Sequence, residues 1–172
     1  MNAPARPESG RLLTFEVLGH VWALPIHGIL EVAEPTALCG VPTLPRSLAG
    51  VMNWHGEALP IVAPRLLVER TEADEDASDT PAPAVDAAED AARDELAAAH
   101  VLVVSSRSGE TPSFGLPIDA VLGLVPDAPR GHVGTGTQVV VERRQVDGRV
   151  VSVLDPRRLV ARAREVIERL AA

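Results

Sequence analysis

Apolar residues along this chain recur mostly in short alternating runs, the period of strands, and only the last stretch carries helical spacing. Residues 11–26, RLLTFEVLGHVWALPI, read as two strands joined at Gly19-His20, and Ile29-Leu30-Glu31-Val32 reads as a third. Pro42 and Pro45 in VPTLPRSLAG forbid a long regular element and leave room for one helical turn before Gly50. Residues 50–62, GVMNWHGEALPIV, have the grammar of a hairpin: two apolar runs meet at a polar corner, where Gly56 supplies a positive φ and His55 takes the tip. Strict alternation points Trp54 and His55 to opposite sides, so that one faces inward and the other outward. Residues 64–68, PRLLV, close the first half.

The second half returns to strands at 100–106 (HVLVVSS), 113–118 and 120–125. After a glycine-bearing loop, residues 138–146 and 149–154 form a hairpin about Asp147-Gly148. Asp155 then caps a helix with Pro156 at its first position, and Leu159, Val160, Ala163, Val166, Ile167 and Leu170 form its apolar face. Two sets of about five short strands with one C-terminal helix suggest barrels or sandwiches.

Charge changes the picture in one place. The net charge is −8, but residues 69–99 hold eleven acidic side chains against Arg70 and Arg93, so the rest of the chain is close to neutral. Residues 69–85 have almost nothing to bury and read as disordered. Residues 86–99, DAAEDAARDELAAA, are alanine-rich, and the Glu89–Arg93 spacing supports a short helix. No basic footprint for nucleic acid is present outside the C-terminal helix, whose arginines could face acidic partners or the insertion. Lysine is absent, which excludes a lysine nucleophile or a lysine-dependent phosphate loop. The single cysteine, Cys39, reads as a half-buried hydrophobe, and the five histidines show no helical metal spacing, so no metal or other cofactor is expected. MNAPARPESG lacks the apolar stretch of a signal peptide and no window reaches membrane-span length, so a cytoplasmic chain without membrane insertion is expected.

Taken together, these landmarks resemble the CheW family, the adaptors of bacterial chemosensory arrays. The opening F-x-L-G-x-x-x-Y/W-A-I-x-I pattern of that family matches Phe15 to Ile26, and its V-x-E-V/I matches Ile29, Glu31 and Val32. The long V-P-x-x-P-x-x-x-x-G-V-x-N-x-R-G-x-x-x-P-V-I-D-L-R stretch aligns from Val41-Pro42 through Arg65. Gly115-Leu116-Pro117-Ile118-Asp119-Ala120-Val121 matches G-L-x-V-D-x-V, and Val153-Leu154-Asp155 matches the final V-L-D. The resemblance implies a mainly β fold of two SH3-like five-stranded β-barrels, side by side with a groove between them, and a C-terminal helix. On this reading residues 1–10 are disordered and 11–160 form the family domain. The first barrel spans about 11–68, the acidic insertion 69–99 and the second barrel about 100–155, with the helix over 156–172.

The function so implied has no chemistry: the chain would bridge chemoreceptor signalling tips to a CheA-type histidine kinase. Partner contacts carried over from the family fall on Ile29, Glu31, Gly50, Asn53 and His55 in the first barrel and on Asp119 and Val121 in the second. Several have a plainer reading: His55 as a solvated turn residue, Glu31 as a solvated strand carboxylate and Asp119 as a turn stabiliser, while the neighbouring Trp54 reads as a core or edge filler or as an exposed anchor. Three positions depart from the family, one of them Pro64 where leucine is expected. His55 stands where it has arginine, and Ala63 where it has aspartate, so a mutually supporting pair would have been lost together. These departures and the acidic insertion favour an alternative, a scaffold of the same fold working outside receptor arrays with another signalling or polarity partner. An enzyme built on Cys39 or Ser47 with His55 lacks any spacing that forces these groups together.

Overall fold

The computed structural model describes residues 10–36, 39, 48–67, 98–106, 111–127 and 139–171; residues 69–97 of the acidic insertion, the turn before Gly50 and Ser47 lie outside them, and Ala98 and Ala99, at the end of the helix expected there, are not helical. In chain order the elements are β1 (Arg11–Val17), β2 (His20–Pro25), a 3-10 turn (Ile26–Gly28), β3 (Ile29–Ala33), β4 (Leu48–Trp54) and β5 (Glu57–Val62). A one-turn helix α1 (Pro64–Leu67) precedes β6 (His100–Val104), β7 (Phe114–Ile118), β8 (Ala120–Pro126), β9 (Val140–Val146), β10 (Arg149–Leu154) and the long helix α2 (Pro156–Ala171). Among the described residues no helix is long and apolar enough to cross a membrane.

The three hairpins share one solution. Leu18-Gly19, His55-Gly56 and Asp147-Gly148 each have positive φ at both positions (53° and 73°, 50° and 89°, 49° and 80°). That geometry matches the right-handed twist of the flanking strands. His55 therefore sits at the tip as expected, while the first turn lies one residue earlier than Gly19-His20, because His20 pairs with Val17. Asp155 Oδ1 accepts the Arg158 N–H at 2.9 Å, which confirms the cap of α2.

Among the described residues, ten strands make two five-stranded sheets, in the orders β8-β1-β2-β10-β9 and β3-β6-β7-β5-β4. The division of the sequence into barrels over 11–68 and 100–155 is corrected by this order: each sheet takes strands from both halves of the chain. β1 and β2 belong with β8, β9 and β10, and β3 to β5 belong with β6 and β7. Hydrophobic burial explains the interleaving. Leu13, Phe15, Val17 and Leu24 from the first sheet meet Val62, Leu102, Val104, Phe114, Leu116 and Ile118 from the second in one shared core. Leu159, Val160, Ala163 and Val166 of α2 complete that core. Each sheet also keeps a core of its own, Leu12, Ala23, Val151 and Val153 in the first and Ala33, Met52, Leu59, Ile61, Val101 and Val103 in the second. β1 and β6 are thus buried on both faces. At Gly115 the packing is so close that a Cβ would lie 2.4 Å from Ile61 Cδ1 and 2.7 Å from Val101 Cγ1.

The sheets are not closed by ladders, which corrects the expectation of complete barrels: among the described residues none joins β8 to β9 or β3 to β4. Side chains and single bridges work at these seams instead. Arg144 on β9 donates to Asp127, just beyond β8, at 2.9 Å, and to Glu142 at 2.8 Å. Glu142 first and Asp127 second hold the guanidinium charged against the opposing effect of its burial. Cys39 pairs with Val51 through both backbone groups (2.9 and 3.1 Å) on the free side of β4. Its side chain is exposed, not half-buried as expected, because the bridge places only its backbone against the sheet.

Candidate partner-binding site

Three side chains converge at the end of the second sheet. Glu31 projects from β3, and Trp54 and His55 come from the β4–β5 hairpin. Trp54 Nε1 donates to Glu31 Oε2 at 2.9 Å, and His55 Nε2 lies 2.8 Å from the same oxygen. The indole and imidazole meet edge to face, with centroids 4.8 Å apart and planes at 68°. Both rings reach one carboxylate because His55 is a turn residue at φ 50°, where the alternation that would have separated them no longer applies. Trp54 is half-buried against the core of the second sheet, so it serves as packing and as donor together. The hydrogen bond from His55, then that from Trp54, holds the Glu31 carboxyl below the usual glutamate range. Asn53 Oδ1 accepts the Gly56 N–H at 2.9 Å and fixes the turn that presents His55. The His55 side chain is 67% exposed and that of Glu31 38%, so the pair is available to another molecule.

The structure also settles what position 55 pairs with. Ala63 is buried beyond the far end of β5, about 20 Å from the turn at about 3.3 Å per residue. A side chain at 55 cannot be supported by one at 63; its partner is Glu31. The motif spacing contained the pair, Glu31 and His55, but not the strand order that joins them.

The remaining expected residues fall elsewhere. Ile29 is half-buried against the shared core, and Gly50 is buried at a bulge with φ 117°, where only glycine is unstrained. Neither is at the turn: Ile29 packs on the shared core and Gly50 pairs with Ile61, farther along the hairpin. Val121 lies on the other sheet, in β8, and Asp119 sits at the crossover from β7 to β8. Asp119 Oδ2 accepts the Leu18 N–H at 2.9 Å, so it does stabilise a turn, though that of β1–β2 rather than its own. The turn it holds is unusual, because a leucine occupies a positive-φ position where Asn, Asp or Gly is favoured.

Leu18 begins an apolar strip that sequence patterning missed. β8 reads AVLGLVP without a charge, as a buried strand would, yet Val121, Leu122 and Leu124 are exposed, as is Leu18. Val121 pairs with Phe15 and Leu124 with Leu13, on the face of the shared core but at the outer edge of the sheet. A bulge leaves Leu122 without a partner on β1. The other sheet edges are blunted: β9 carries Glu142, Arg143 and Arg144, β3 carries Glu31, and β4 is bridged by Cys39. The one signal available in sequence is the absence of charge between Asp119 and Asp127.

The chain is similar in structure to the CheW scaffolding protein of Thermoanaerobacter tengcongensis, with a TM-score of 0.59, 14% identity and coverage of 92% of each chain. No curated protein sequence matches it. A family model described as the CheW-like domain matches residues 11–164, from the start of β1 into α2. With that match spanning both sheets and the corner between β3 and the β4–β5 hairpin, the chain belongs to the CheW-like family of chemotaxis scaffold proteins.

Proposed function

We propose that this protein is a cytoplasmic, non-enzymatic adaptor that couples chemoreceptor signalling tips to a CheA-type histidine kinase. The observation that carries the reading is the separation of its two exposed candidate surfaces, since an adaptor must hold two partners at once. The corner of Glu31, Trp54 and His55, its turn fixed by Asn53, is on the second sheet and is assigned to the receptor tip. The strip of Leu18, Val121, Leu122 and Leu124, with Asp119 clamping Leu18, is on the first sheet and is assigned to the kinase. Apolar, exposed and set on rigid strands, the strip has the character of an interface core.

Binding measured separately against the host's receptor signalling tip and its CheA-type kinase tests the assignment. Leu124→Ser is expected to weaken the kinase contact and spare the receptor contact, and His55→Arg to change the receptor contact alone. Failure of the wild type to bind either partner would sink the chemosensory reading. One feature favours a second reading, a scaffold serving another signalling or polarity partner: His55 replaces the permanent charge that the family places at this corner. Binding to the kinase without the receptor, with receptor binding restored by His55→Arg, would select it.

A further inference from the structure

The same departure has a chemical consequence. Glu31 Oε2 accepts from Trp54 Nε1 and meets His55 Nε2 at 2.8 Å, so the neutral ring must carry its proton on Nε2, which leaves Nδ1 bare on the other side of the ring. A second proton would go to Nδ1. It would place a full positive charge against Glu31 and turn the outward nitrogen from acceptor to donor. The charged and titratable groups set around the ring are Glu31 from β3 and Glu57, which follows the turn on β5 opposite Trp54. With a neutral ring the corner is therefore acidic and complementary to a cationic partner side chain; with a charged ring Glu31 is already compensated. An arginine at this position would compensate it at every pH.

We propose that His55 is a proton-operated competitor for Glu31: the corner receives a lysine or arginine of its partner while the ring is neutral, and protonation of the ring withdraws Glu31 from that contact. This rests on the corner being the receptor-facing surface, and the experiment separates the two claims. The first part uses the free, full-length protein. An NMR titration between pH 5 and 8.5 follows the His55 ring nitrogens and the Trp54 indole N–H. The two are expected to move together in the wild type and to be uncoupled in Glu31→Gln. The second part measures affinity for the receptor signalling-tip fragment over the same range. Wild type is expected to bind about two- to fivefold more weakly at pH 5.5 than at pH 8, the range an exposed ion pair supplies. His55→Gln should hold the high-pH affinity throughout and His55→Arg the low-pH affinity. Wild-type affinity that is flat, or that rises as the pH falls, would overturn the proposal. If no variant binds the fragment at any pH, the receptor assignment fails, and the titration decides alone: coupled movement lost in Glu31→Gln supports the competitor, and independent movement removes it.

Discussion

Replacing Arg144 with methionine isolates the ion-pair group that spans the seam of the first sheet. The Arg144 side chain is 13% exposed and that of Glu142 11%, and the guanidinium bonds Glu142 Oε2 and Asp127 Oδ1. Among the described residues Glu142 Oε1 has no hydrogen-bond partner, so the substitution would leave a largely buried carboxylate without its counter-charge. Breaking such a pair from one side costs about 3–5 kcal/mol. Asp127, about a third exposed, can return to water, which places the expected loss near the lower end, about 3 kcal/mol at pH 7. Methionine refills much of the aliphatic stem, so the cavity contribution is small. Urea unfolding followed by tryptophan fluorescence should therefore show a large drop for Arg144→Met and much of it recovered when Glu142→Leu is added. At acid pH the loss should shrink, because a neutral carboxylic acid replaces the unpaired carboxylate. A single variant within about 0.5 kcal/mol of wild type, or a double variant less stable than the single, would refute the argument that uncompensated charge dominates.

Gly115→Ala should destabilise by about 1–3 kcal/mol in the same assay, since the new methyl collides with Ile61 and Val101 from the two neighbouring strands, β5 and β6. Leu18→Asn should leave the fold unchanged or raise its stability by about 0.5–1 kcal/mol, because asparagine tolerates φ 53° better than leucine. The same variant should weaken kinase binding, and a fall in both quantities would count against Leu18 as an exposed anchor. The Glu31 carboxyl titrates below its ordinary value, so its stabilising effect is present above about pH 4.5 and is lost as the pH falls through the lowered value. Glu31→Gln should then cost under about 1 kcal/mol at neutral pH, as expected of a half-exposed pair, and nothing in strong acid. Equal losses at pH 7 and pH 2 would point to packing instead.

The local elements were legible because their causes are local. Alternation over 11–17 and 149–154 and a continuous apolar run over 100–104 mark strands, Gly56 and Gly148 mark turns, and Asp155-Pro156 marks a helix start. The family motifs then placed Glu31 and His55 in the same functional region before any contact between them was visible. One local reading failed, since the first hairpin was displaced by one residue, and one fell short: Trp54 does face the core and His55 the solvent, but alternation gave no sign that both rings meet one carboxylate. Both outcomes depend on which residues occupy a turn.

What the sequence by itself determined is the class of fold, the family and the hairpin corners, since each follows from residues close together in the chain. What the tertiary structure alone decided is pairing at long range. β1 and β2 could have been completed by β3 to β5 with the same alternation; burial of Leu13, Phe15 and Val17 in a core shared with the second sheet and α2 places them beside β8 and β10 instead. The uncharged run of β8 has the composition of a buried strand, and only its place at the sheet edge exposes it. Glu31 and His55 likewise meet because β3 and the β4–β5 hairpin lie at opposite ends of the second sheet's strand order and its curvature brings them together. Period and turn chemistry fix which face of a strand is apolar, whereas the neighbour that covers that face is chosen by the packing of the whole chain.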